Sequence, residues 1–191
     1  MTLNFRSVKP IFNSRSKQVF IETYGCQMNI SDSEIVLSVL EKAGYSLCDS
    51  ADKASLILIN TCSIRENAEQ KIWSRLEQLR VLKRKKLDLV IGVLGCMAER
   101  LKENLLENGA VDIVAGPDSY RSLPSLLEAV STGEKQINTL LSQEETYADI
   151  SPVRMDKNGI SAFIAIMRGC NNYCSYCVVP YVRGRDRKSV V

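Results

Sequence analysis

Seven cysteines and no histidine set the chemistry open to this chain of 191 residues. Without imidazole, the commonest general base and the commonest nitrogen ligand for metals are missing. A metal site must then draw on sulfur or oxygen. The thiols are Cys26, Cys48, Cys62, Cys96, Cys170, Cys174 and Cys177. The sequence has no apolar secretory stretch and no run of eighteen apolar residues, which predicts a reducing, cytoplasmic setting without a membrane span. In that setting so many thiols point to metal binding or catalysis before disulfides.

Three of the cysteines share one kind of address. Cys26, Cys62 and Cys96 each directly follow a predicted strand and precede a predicted helix, in Tyr-Gly-Cys, Asn-Thr-Cys and Leu-Gly-Cys. The intervals of 36 and 34 residues are each about one βαβ unit. Parallel strands put such loops at the carboxyl edge of a sheet, where ligands of open α/β folds bind. Neighbouring strands lie about 4.8 Å apart, so three thiolates from adjacent strand ends can meet on one small cluster. Helix N-termini beside them are expected to lower the thiol pKa. One buried cysteine after a strand is ordinary packing; three in register through three units favour a metal site. Gly25 and Gly95, each before a cysteine, allow close backbone approach. Cys48 lacks this setting and is assigned to structure.

The other three form Cys170-x3-Cys174-x2-Cys177, inside Arg-Gly-Cys-Asn-Asn-Tyr-Cys-Ser-Tyr-Cys. Four-iron clusters normally take four cysteines, so three thiolates leave one iron open. Structural zinc wants four ligands and would find no histidine for the fourth. The spacing favours an iron–sulfur cluster over zinc.

The elements that must position these residues alternate. Residues 18–24 read as a strand; Ser31 and Glu34 form a capping box, and Ile35, Val36, Val39, Leu40 and Ala43 make an apolar helical face that Gly44 stops. A short segment follows at 45–48. Residues 56–60 are a nearly all-apolar strand, which suits a parallel sheet covered on both faces. Ser63 and Glu66 suggest a second box before a long helix with Ala68, Ile72, Leu76 and Leu79 inward. Its cationic end, Lys83–Lys86, complements the helix dipole better than it argues for RNA. Strand 89–94, helix 98–108 with Leu101 and Leu105 buried, strand 111–115, a turn at Gly116-Pro117, and a helix from about Ser122 with Pro124 in its first turn complete the pattern. The expectation is an α/β fold with a parallel sheet flanked by helices and right-handed crossovers, over residues 18–133. Residues 134–158 read as a linker and 161–167 as a strand opening a second domain, at 159–191.

Charge collects at the two ends, +4 over residues 1–17 and +4 over 168–191, against about −5 between. The first seventeen residues read as a disordered leader in preference to a transit peptide. The basic run Arg183-Gly184-Arg185-Asp186-Arg187-Lys188 suits either phosphate contact or an unfolded tail.

Cys170-x3-Cys174-x2-Cys177 resembles the signature of the radical S-adenosylmethionine superfamily. Thr23-Tyr24-Gly25-Cys26-Gln27-Met28-Asn29 and Asn60-Thr61-Cys62-Ser63-Ile64-Arg65-Glu66-Asn67-Ala68 resemble the methylthiotransferase family within it. Gln27-Met28-Asn29 is similar to the branch acting on isopentenylated adenosine in tRNA; Cys-Pro-Lys-Asn and Cys-Lys-Val-Asn mark the other branches. The resemblance covers roughly residues 18–187. It implies an auxiliary four-iron cluster on Cys26, Cys62 and Cys96, which carries the sulfur to be inserted. It implies a radical cluster on Cys170, Cys174 and Cys177, with Tyr176 packed near the adenine of S-adenosylmethionine. One S-adenosylmethionine gives the methyl group and a second the radical that abstracts hydrogen from C2 of the base. The implied partners are tRNA carrying isopentenylated adenosine next to the anticodon, and an electron donor such as flavodoxin or ferredoxin, with the protein a monomer. Only fourteen residues follow Cys177, too few for a barrel that takes about 200 residues, so the chain is expected to be a fragment that does not turn over alone. A ribosomal-protein methylthiotransferase and a non-catalytic iron–sulfur or zinc module are the alternatives.

Overall fold

The computed structural model describes residues 17–63, 66–155 and 161–188, with backbone only at 66–68. The expected leader, apart from Lys17, lies outside the described residues, as does most of the expected Ser63–Glu66 cap. Lys17 is anchored: its Nζ donates to Ala43 O at 3.1 Å and sits over the Tyr45 ring.

Six strands form one parallel sheet: β1 (Gln18–Tyr24), β2 (Ser46–Leu47), β3 (Leu56–Thr61), β4 (Val90–Gly95), β5 (Ile113–Ala115) and β6 (Gln136–Asn138), in the order β2-β1-β3-β4-β5-β6. The expected parallel α/β architecture is present. The order is doubly wound: after β1 the chain turns outward to β2, then crosses back to β3, which makes the carboxyl ends of β1 and β3 the topological switch point.

Burial follows from the period of two along a strand. Leu56, Leu58, Val90 and Leu94 face one layer, with Ile35, Val36, Leu37 and Leu40 of α1 (Gln27–Lys42) and Leu123 and Leu127 of the helix that follows β5. Ile57, Ile59, Ile91 and Val93 face the other, with Ile72, Leu76 and Leu79 of α2 (Glu66–Lys85). Both β3 and β4 are buried throughout, as their unbroken apolar runs predict.

Four expectations need correction. Helix α1 opens at Gln27, with Cys26 as its N-cap, four residues before the expected box. Ser31 and Glu34 are buried inside the helix, and Glu34 binds Arg154 Nη1 at 2.7 Å and Met155 N at 3.1 Å. A polar residue with a tertiary partner resembles a cap in sequence. The expected helix 98–108 is two helices, α3 (Cys96–Leu101) and α4 (Glu103–Glu107), broken where Lys102 takes φ +44°. Leucine spacing runs through the break, so periodicity cannot reveal it. The stretch read as a linker supplies β6, after α5 (Leu123–Val130). Finally, of the strand expected at 161–167 only Met167 is in a strand, the two-residue β7 (Met167–Arg168), paired antiparallel with β8 (Arg187–Lys188). Phe163, Ile164 and Ile166 are exposed, and among the described residues no neighbouring strand completes the ladder there.

The carboxyl-terminal segment is not an unfolded tail. Arg168, Arg183 and Arg187 are buried. Arg168 Nη1 donates to Asp32 Oδ1 at 2.8 Å and its Nη2 to Pro117 O at 2.9 Å. Arg187 Nη1 donates to Asp118 Oδ2 at 2.7 Å, and Arg183, in α6 (Val179–Arg183), also reaches Asp32. Tyr120 OH donates to Asp32 Oδ2 at 3.1 Å. Burial pushes the Asp32 carboxyl up, but Arg168 and Arg183 together outweigh it and hold it below its ordinary value. Of the basic run, Arg185 and Lys188 stay exposed; the other two arginines serve the fold.

Breaking a buried pair costs about 3–5 kcal/mol, because the remaining charge is stranded. Asp32→Ala is expected to lower stability by about that amount in urea titration, and to speed amide exchange across residues 167–188 more than across β3.

Candidate metal centre

The register fixes the rim. Tyr24, Thr61 and Gly95 are lateral partners across β1, β3 and β4. Cys62 and Cys96 therefore stand one residue past the same line, and Cys26 two. Cys62 N donates to Tyr24 O at 2.9 Å, extending the ladder to the cysteine itself. The three cysteines thus lie on one carboxyl rim, spread over the switch point and the strand beside it.

Close packing holds them there. A Cβ at Gly25 would lie 2.8 Å from Cys62 Cβ and 2.5 Å from Asn29 Oδ1. Gly95 sits at φ +87°, and a Cβ there would lie 2.5 Å from Asn60 Oδ1 and 2.6 Å from Thr61 O. Beneath the rim two asparagines lock α1 to β3. Asn29 Nδ2 donates to Asn60 Oδ1 at 3.1 Å and Thr61 O at 3.0 Å, and Asn60 Nδ2 donates to Asn29 O and Ser33 Oγ, both at 2.9 Å. Thr61 Oγ1 donates to Leu94 O at 2.7 Å, tying β3 to β4. A fully satisfied buried network of this kind specifies a single arrangement.

Cys62 and Cys96 are buried and Cys26 is exposed. The Cys26 thiol lies 3.4 Å from Asn29 Oδ1. Among the described residues no three cysteine, aspartate or glutamate side chains already surround a common metal position. The donor set itself, three thiols with no nitrogen ligand, suits a soft metal or an iron–sulfur cluster. The expected fall in thiol pKa does not hold at Cys96. Burial pushes it up, and the neighbouring Arg183 offsets this only in part.

The second set sits close by in the fold. Gly169, at φ +80°, lies so near Arg185 O that a Cβ would fall 2.0 Å from it. Cys170 N then donates to Gly184 O at 3.1 Å, closing the loop that carries Cys170, Cys174 and Cys177. Cys174 is exposed; Cys170 and Cys177 are half-buried. Tyr176, expected near a bound adenine, is 90% exposed. The loop runs into α6, which packs on α3, the helix that begins at Cys96. Cys48 follows β2, away from these loops, and donates to Ser50 O at 3.4 Å.

Sequence reasoning passed over Asp32, Asp118 and Arg168, and read Arg183 and Arg187 as phosphate contacts or tail where the structure buries them against carboxylates. A local signal exists only for the asparagine pair: Asn60 ends the apolar run of β3 and marks a buried polar contact, here with Asn29 and Ser33.

Glu99, one helical turn beyond Cys96, is buried against Gly116. Burial raises its pKa to about 7, and Lys102 lowers it only in part.

The uncharacterized protein family UPF0004 matches residues 18–116. The chain is similar to a tRNA-2-methylthio-N(6)-dimethylallyladenosine synthase from Amoebophilus asiaticus, 61% identical over 90% of this chain and 36% of the relative. It is 58% identical to a protein of the same name from Bacteroides thetaiotaomicron, over 90% of this chain and 38% of that one. A Phocaeicola vulgatus protein, again of that name, is 54% identical over 94% of this chain and 40% of its own length. The chain spans about two fifths of the curated relatives it matches.

Two outcomes are expected. Gly95→Ala should destabilise by about 1–3 kcal/mol, through left-handed strain and overpacking, seen as a lower denaturation midpoint. Because Glu99 binds its proton more tightly folded than unfolded, stability falls as pH rises from about 4.5 to about 7 through this group. Glu99→Gln should remove that fall from the difference between the two stability curves.

Proposed function

Because the chain belongs to the uncharacterized protein family UPF0004, we propose that it is part of an enzyme that methylthiolates N6-dimethylallyladenosine in tRNA, next to the anticodon. The name carried by its relatives supports the substrate. The observation that carries the chemistry is the rim, three cysteines at the carboxyl ends of three adjacent parallel strands.

In this reading Cys26, Cys62 and Cys96 hold an auxiliary four-iron cluster, and Cys170, Cys174 and Cys177 hold the radical cluster. When bound, these clusters and S-adenosylmethionine would supply a hydrogen-abstracting radical and the sulfur and methyl group to be transferred. The chain's own residues position. Asn29, Asn60 and Thr61 fix the strand ends that present the first three thiols. Gly169 and the Cys170–Gly184 bond shape the loop that presents the second three. Burial of Cys62 and Cys96 keeps water from the sulfur. Tyr176, exposed on that loop, is left open to stack on an adenine. The partners are the isopentenylated tRNA and an electron donor such as flavodoxin or ferredoxin. The protein acts as a monomer in the cytoplasm; among the described residues no helix is long and apolar enough to cross a membrane.

Anaerobic reconstitution of this chain with iron and sulfide should leave about four irons bound per chain on the first set, with the second set losing iron on desalting. Cys62→Ala should abolish the stable fraction, and iron uptake unchanged in that variant would defeat the assignment. With a chain as long as the relatives, an isopentenylated anticodon stem-loop should gain a methylthio group, and Cys96→Ala should end that activity. Modification of a ribosomal protein in its place would redirect the substrate reading.

A further inference from the structure

Arg183 lies six residues beyond Cys177, yet its side chain serves the other cysteine set. It is 2% exposed. Its Nε donates to Cys96 Sγ at 3.1 Å. Its Nη1 stands 2.7 Å from Asp32 Oδ2, a charge contact whose angle makes no hydrogen bond. Arg187 Nη2 donates to Arg183 O at 2.6 Å, which fixes the last turn of α6. Burial works against the charge on Arg183, and Asp32 and Cys96 together more than restore it.

A guanidinium is a planar fork whose donors have fixed directions. Nε and Nη2 point to the same edge, in parallel. One prong of that edge ends on the Cys96 sulfur. The other, Nη2, is buried and has no hydrogen-bond partner among the described residues. A buried donor without an acceptor is destabilising, because it has lost its bond to water, and side chains with bidentate geometry tend to meet two acceptors side by side. The missing acceptor therefore belongs next to the Cys96 sulfur, at the rim.

We propose that Arg183 is a positioning residue for the sulfur centre on the rim: Nε holds the Cys96 sulfur, and Nη2 donates to a second sulfur of the same centre, an inorganic sulfide. The inference rests on the reading of Cys26, Cys62 and Cys96 as cluster ligands. It also means that the segment carrying one cysteine set completes the site of the other. Donors to cluster sulfurs favour the more negative, reduced state and so raise the potential.

The test uses the full chain with Cys170→Ala, Cys174→Ala and Cys177→Ala, loaded anaerobically with iron and sulfide, its midpoint potential followed by EPR. Arg183→Lys keeps a cation for Asp32 but loses the fork. It should weaken reduction about tenfold, a shift of ~59 mV to lower potential for one electron. Arg168→Lys disturbs the same carboxylate without touching sulfur and should leave the potential in place. No shift in Arg183→Lys, or equal shifts in both variants, overturns the proposal. If Arg183→Lys fails to fold by circular dichroism, the unsubstituted side chain is read directly: with 15N-arginine, the reduced centre should show nitrogen hyperfine coupling in pulsed EPR, and its absence overturns the proposal. A starting chain that takes up no iron removes the cluster reading itself and the proposal with it. That outcome is distinct from a loaded centre indifferent to Arg183.

Discussion

Asp32 is the charge around which two parts of the chain are assembled. It sits in the second turn of α1, buried, and receives Arg168, Arg183 and Tyr120. Residues 136 and 151 positions later in the chain are thereby fixed against the first helix of the sheet domain. A buried ion pair gains little net stability over apolar packing, but its rupture is expensive and its geometry is strict. Asp118 repeats the arrangement with Arg187. These two carboxylates turn what composition presents as a basic tail into a docked segment.

The parallel sheet contributes the second constraint. Parallel pairing makes every strand end on the same rim, so equal intervals in sequence become adjacency in space. The doubly wound order adds the crevice, because α1 and α2 leave the ends of β1 and β3 toward opposite faces. Cys26 and Cys62 flank that point and Cys96 stands on the next strand. The glycines before Cys26 and Cys96 are needed because the asparagine pair and the neighbouring strand fill the space where a Cβ would go.

Much of this was legible in the sequence, where the signal is local. The strands of apolar residues, the interval between cysteines and the proline in the first turn of α5 all rest on short-range rules. What escaped depends on partners far away. Ser31 and Glu34 look like a cap, because a buried glutamate awaiting Arg154 has the same spacing as one reaching back to a helix start. The break at Lys102 leaves leucine periodicity intact. β6 is three half-buried residues, too short and too polar to announce a strand. The arginines at 168, 183 and 187 were read by charge alone, since nothing near them in sequence reveals the aspartates that bury them. Of the candidate site, the thiols were visible and the residues that orient them were not.

The position of Arg183 also imposes an order on biosynthesis. The ribosome releases all six strands and the three rim cysteines before it has made the guanidinium that meets Cys96. Until then Asp32 and Asp118 lack the arginines that pair with them in the finished fold. The rim is thus complete only after a helix encoded some ninety codons downstream of Cys96 has emerged.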